Sequence, residues 1–287
     1  MKYALAIVVI LVCNFSFSQN CPPLTLDSIT NPGIYNVASF TEDASKIYEE
    51  VVESSVDNKY LVRSAAQYFT NKQLTTYALK IYLQGRKIDK DPNIYALELA
   101  NTYRLLGQKP AMIEEYLRYA AIRSSNLRYV KNILQNLLQS TEDIENFKTV
   151  LFGKIQRSPN ESIYSELLIW VNLQQNDFLG AFAQAKAIDN RNRVSGIRSL
   201  SIGRIALKNQ AYQEAITIFQ YVADKYPETN SYVLARRQII NAREEMVKNT
   251  FPIEKSAIKA LIQEYEVLIT EIGINEKTLE AYRSKAL

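Results

Sequence analysis

The feature that most restricts how this chain can fold is an internal echo at a spacing of 34 residues. Ala66, Phe69, Ala78 and Tyr82 are answered by Ala100, Tyr103, Met112 and Tyr116, each 34 positions later. Further along, Ile169, Phe178, Ala181, Ala185 and Ile188 are answered at the same spacing by Gly203, Tyr212, Ala215, Phe219 and Val222. A middle unit with one inserted residue carries Leu134, Leu138, Phe147, Leu151 and Pro159, and Pro227 closes a later unit as Pro159 closes this one. Five units therefore run from about Lys59 to Thr229. Amphipathic helices in general share three- and four-residue apolar spacing. They do not share small residues at fixed offsets with proline at the unit boundary. A fixed period marks a supersecondary unit that buries its apolar face only by stacking on its neighbours.

Each unit is helical. From Thr41 onward apolar residues recur every three or four positions, with hardly any strand-like alternation. Asp91-Pro92 predicts an N-cap followed by proline at the first helical position, in a helix that ends at Gly107. Pro110 predicts the next start, and Ser140-Thr141-Glu142-Asp143 another, with acids in the first turn. The expectation is about fourteen helices of roughly 12–20 residues joined by short turns, an all-α fold.

The segment Ile202-Gly203, Ala206, Tyr212, Ala215, Phe219, Val222, Pro227 resembles the tetratricopeptide repeat, a helix–turn–helix module of the same period. Leu99-Ala100, Tyr103, Gly107 and Tyr116 form a second match. Trp170 lies one position past the family's small site, so its unit is degenerate, and the middle unit matches mainly by spacing. The resemblance implies a right-handed α-solenoid of stacked helix pairs over residues 41–287, best developed over 59–229. It extends through Thr229–Gly273 and back through Thr41–Val56 as a leading helix.

The chain opens differently. Lys2 precedes an apolar run from Ala4 to Cys13, shorter than the roughly 20 residues that span a bilayer, followed by Asn14, Ser16, Ser18 and Gln19. That predicts a secretory signal peptide over residues 1–19, hence an exported protein, periplasmic or secreted. Residues 20–40, with Pro22, Pro23, Asn31, Pro32 and Gly33, predict an irregular lead-in. Cys21 then stands near the new terminus as a free thiol or half of an intermolecular bridge. Val12 before Cys13 and Asn20 before Cys21 depart from a lipoprotein box, which argues against a lipid anchor. No later segment is apolar enough to cross a membrane, and a net charge of +4 does not point to nucleic acid.

Composition excludes much chemistry. With no histidine there is no imidazole base, no Ser-His-Asp or Cys-His pair and no histidine-bound metal. The 8 glycines are scattered singly, without a phosphate-cradling loop. Glu114-Glu115, Glu142-Asp143 and Glu244-Glu245 are sequence neighbours that point to different sides of a helix, expected on solvated faces. Asp57-Asn58, Asp89-Lys90-Asp91 and Asp189-Asn190 suggest turns, not calcium loops. The expectation is a non-enzyme with no catalytic residue, cofactor or metal.

Binding is what the resemblance implies, through an inner surface lined by the first helix of each pair. Carried onto this chain, the family's inner positions are Tyr60, Arg63 and Gln67, then Leu97, Asn101 and Arg104. Tyr129, Asn132, Asn136 and Gln139 follow, then Glu166 and Trp170, then Leu200, Arg204 and Leu207. Carboxamides both donate and accept, which suits an extended peptide backbone. Asn101, Arg104, Asn132, Asn136, Trp170 and Arg204 are the candidate partner-binding residues. The expected function is a protein-binding scaffold of the bacterial envelope. The alternative is a helical wall domain cut from a longer envelope enzyme or assembly factor. A final helix expected from Glu276, with Leu279, Tyr282 and Ala286 on one stripe, stands either as the cap of the array or as an open end completed by self-association or further repeats.

Overall fold

The structure, a computed structural model, describes residues 37–56, 58–249 and 254–273. The expected leader, Cys13 and Cys21, most of the lead-in and the expected helix from Glu276 lie outside these residues. Thirteen helices and no strand occur among the described residues. The chain divides into two compact units, Met1–Val130 and Lys131–Leu287.

The first unit holds α1 (Val37–Ser55), α2 (Lys59–Asn71), α3 (Thr75–Asp89), α4 (Ala96–Leu105), α5 (Lys109–Ile122) and the beginning of α6 (Asn126–Leu137). The second holds the rest of α6, then α7 (Thr141–Arg157), α8 (Ser162–Gln174), α9 (Phe178–Asn192), α10 (Ile197–Lys208), α11 (Tyr212–Lys225), α12 (Asn230–Lys248) and α13 (Lys255–Ile272). The first helix thus begins at Val37, upstream of the start expected at Thr41. In the first unit α2 pairs with α3 and α4 with α5, α3 packs on α4, and α1 lies against α2 and α3. In the second unit α8 pairs with α9, α10 with α11 and α12 with α13, while α7–α8, α9–α10 and α11–α12 contacts stack one pair on the next. This is the all-α repeat architecture that the 34-residue echo implies.

The turn inside a pair repeats as faithfully as the helices. Gln73, Gly107, Asn176 and Gln210 all sit at positive φ, between 55° and 69°. Just beyond them the N–H groups of Leu74, Gln108, Asp177 and Ala211 reach back to the carbonyls of Phe69, Tyr103, Asn172 and Ala206. That six-residue closure is the Schellman motif, which satisfies carbonyls a helix end leaves open. Helix starts follow the sequence at Ser140, whose hydroxyl accepts from the Asp143 N–H, and at Pro110 in the first turn of α5.

One start differs. The helix expected from Pro92 begins only at Ala96. Asp91 accepts from the Asn93 N–H to form a turn, and Tyr95 follows at a φ of 59°. Arg86 fixes that turn by donating its Nε–H to the Ile94 carbonyl at 2.9 Å. A tertiary contact has overridden a local start signal.

Small residues let the helices approach. Ala66, Ala78 and Ala100 are fully buried in the first unit, and Ala181, Ala206 and Ala215 in the second. Phe219 occupies the space beside Gly203, and its ring belongs to a cluster with Ala185, Ile188, Val222 and Ile239.

Two buried carboxylates correct the sequence reading. Glu115, expected on a solvated face, is 6% exposed. It accepts from both Nη atoms of Arg86, at 2.6 and 2.7 Å, which clamps α3 to α5. Asp189, expected in a turn, is fully buried near the end of α9. It accepts from the N–H of Arg198, the N–H of Ser199 and the Ser199 hydroxyl, at 3.2, 2.9 and 2.8 Å. It therefore caps α10 from the preceding helix.

Candidate partner-binding face

Asn101, Arg104, Trp170 and Arg204 lie on first helices of their pairs, and Asn132 and Asn136 lie on α6, which precedes α7. Asn101 and Arg104 belong to α4 in the first unit; Asn132 and Asn136 (α6), Trp170 (α8) and Arg204 (α10) belong to the second. Arg104, Asn132, Asn136 and Arg204 are exposed, and Asn101 and Trp170 are half-buried.

Asn101 has a structural partner. Its Oδ1 accepts from the Tyr116 hydroxyl at 2.9 Å, joining α4 to α5. Burial pushes the Tyr116 phenol up, and the charge of nearby Arg104 pulls the other way. Asn132 and Asn136 are one helical turn apart, so they share a face of α6. Asn136 donates to the Asn132 carbonyl at 3.1 Å, and Gln139 donates to the Asn136 carbonyl. Lys131, beside them, is held below its ordinary value by burial, against the attraction of Glu166.

The other expected inner positions divide. Tyr60 is 75% exposed and Tyr129 is 41% exposed. Arg63 pairs with Glu98 at 3.0 Å and lies over the Tyr95 ring, linking α2 to α4. Glu166 pairs with Arg198, linking α8 to α10. Each unit thus has a charge pair that ties the first helices of two neighbouring repeats together. Leu200 corrects the expectation: it is buried, not lining a groove. With the first turn of α10 held to α9 by Asp189, Leu200 packs among the core residues of that unit.

The periodic pattern missed two concavities. In the first unit a recess of about 580 Å³ is lined by Arg63, Tyr95, Leu97, Glu98, Tyr119 and Ile122, among others. In the second a smaller one of about 140 Å³ lies beside Trp170. Its other walls are Gln135, Leu138, Ile144, Val171, Gln174 and Gln175. Among the described residues no group of three or more acidic or cysteine side chains is placed to hold a metal ion, and no helix is long and apolar enough to cross a membrane.

No family model matches the chain, and no curated protein matches it. Among solved structures, a tetratricopeptide repeat protein from Parabacteroides merdae is similar at 15% identity, over 84% of this chain and 99% of that one, with a TM-score of 0.29. The helix pairs, their period and the small residues between them fit a tetratricopeptide-like family.

Proposed function

We propose that this protein is a non-catalytic scaffold, exported to the bacterial envelope or beyond, whose first helices hold an extended segment of a partner protein. The observation that carries this reading is the placement of Asn132, Asn136, Trp170 and Arg204. All are solvent-accessible, and all lie in the second unit on α6, α8 and α10, whose buried apolar residues face neighbouring helices. Carboxamides suit a peptide backbone, and Trp and Arg are enriched among residues that dominate interface energy. Export is supported by Lys2 and the apolar run from Ala4 to Cys13.

The test places a photo-reactive amino acid at position 136, 204 or 224 in living cells. Asp224 is exposed on α11, a second helix. The expected result is one cross-linked partner shared by positions 136 and 204 and missing from 224. Equal labelling at all three, or none at 136 and 204, overturns the reading. Amino-terminal sequencing of the adduct reports in the same sample whether the first 19 residues have been removed.

A further inference from the structure

We propose that the recess beside Trp170 receives a proline ring from a polyproline-type stretch of the partner, an inference that rests on the scaffold reading above. The recess offers about 140 Å³. A cavity of about 150 Å³ holds one benzene, so this space admits a single ring and little more. Its base is apolar: Leu138, Ile144 and Val171 are each under a tenth exposed. The Trp170 indole forms one wall, and the exposed side chains of Gln135, Gln174 and Gln175 stand around it.

The chemistry of that lining selects the occupant. None of the seven lining residues carries a charge, so neither an acidic nor a basic anchor finds a counter-ion there. A sugar ring bears hydroxyls around its edge, and seating it on an apolar base leaves some of them without partners, at a desolvation cost. A pyrrolidine ring has none to lose and presents a flat hydrocarbon face to the indole. The chain on either side of a proline favours the polyproline II helix, which makes no internal hydrogen bonds and leaves its carbonyls open. Three carboxamides around the recess supply N–H donors for those carbonyls. Because such a segment is already extended, little ordering entropy is lost on docking. A leucine side chain fills the same volume but arrives on a flexible backbone, and is the first competitor to test.

Trp170 is the protein's single tryptophan, so its emission reports on this recess alone. The full chain is titrated with acetyl-capped hexaproline, and separately with a hexapeptide of glycine and serine, a leucine-containing hexapeptide and maltotriose. Emission and heat are recorded together. The expected result is a saturable emission change with hexaproline at a Kd below about 1 mM. Gln135→Ala with Gln174→Ala should weaken it about fivefold or more, a loss on the scale of a net hydrogen bond, with an unchanged Tm because both side chains are exposed. No saturable change, or an equal response to the leucine peptide or to maltotriose, overturns the proposal. If hexaproline fails while cross-links at 136 and 204 persist, the proline inference falls and the scaffold reading stands. If the cross-links are missing as well, both fall.

Discussion

Gly203 shows how little room a single contact in the second unit leaves. A Cβ built on it would lie 2.5 Å from Cε1 of Phe219 and 2.9 Å from Cδ1 and Cζ, closer than real Cβ contacts come. The ring has nowhere to retreat, since Phe219 is fully buried among Ala185, Ile188, Ala215 and Val222. Two effects oppose each other in Gly203→Ala. Mid-helix alanine gains about 1 kcal/mol of propensity over glycine, whereas overpacking a tight core costs about 1–3 kcal/mol. With the whole methyl group inside the contact distance, overpacking wins. Gly203→Ala should lower stability by about 1 kcal/mol or more, and adding Phe219→Leu should recover part of the loss. Urea unfolding of the unaltered protein and the two variants measures this. A stability gain in Gly203→Ala would mean that the two helices separate more easily than their packing implies.

At the scale of the element, the repeat is defined as much by its turns as by its helices. The left-handed position within the pairs α2–α3, α4–α5, α8–α9 and α10–α11 falls on Gln73, Gly107, Asn176 and Gln210, and only one of these is glycine. A left-handed conformation costs a residue with a Cβ roughly 1–2 kcal/mol, reduced by the extra unfolded-state freedom that glycine brings. Gln73→Gly and Gln210→Gly should each stabilise the protein by about 0.5–1 kcal/mol, and Gly107→Ala should destabilise it by a similar amount. Thermal unfolding checks all three; a lower Tm in both glutamine variants would show that these side chains contribute more than their strain removes. The helices themselves were readable from spacing, proline and caps because those signals are local. Pro110 and Ser140 marked true starts. What the sequence concealed depends on partners far along the chain. The late start of α4 is held by Arg86, the burial of Glu115 needs that same arginine 29 residues away, and the role of Asp189 needs Ser199. The candidate site divides in the same way. The family resemblance, carried onto the repeat register, put its six residues on α4, α6, α8 and α10. The recess beside Trp170 was hidden because its walls come from three helices, and the repeat pattern marked Leu138 only as a packing position and Gln135, Gln174 and Gln175 not at all.

For the whole molecule, the absence of histidine moves the informative part of the pH–stability curve to the alkaline side. Among the described residues each unit holds one tyrosine pushed up to about 12. Tyr82 in the first is raised by burial and then by Glu98, against the pull of Arg63. Tyr226 in the second is raised by burial and by Tyr221 and Asp189. In the unfolded chain both phenols ionise near 10. Above that pH the unfolded state loses protons that the folded state keeps, so stability falls as pH rises. Their contribution is complete below pH 10 and disappears as the pH approaches 12. Lys59 and Lys248, raised by hydrogen bonds to Asp89 and Glu244, act in the same direction above their ordinary value of 10.5. Lys131 acts oppositely: its depressed value means a cost at lower pH that is relieved as the pH rises. Both are raised to about the same value, so the two carry comparable shares. Tm followed from pH 9 to 12 should therefore fall steeply beyond pH 10. Tyr82→Phe and Tyr226→Phe should each flatten that fall, because phenylalanine has no proton to release in either state. The same slope in both variants as in the unaltered protein would show that the alkaline loss comes from the other raised groups, Tyr116 and the lysine pairs among them.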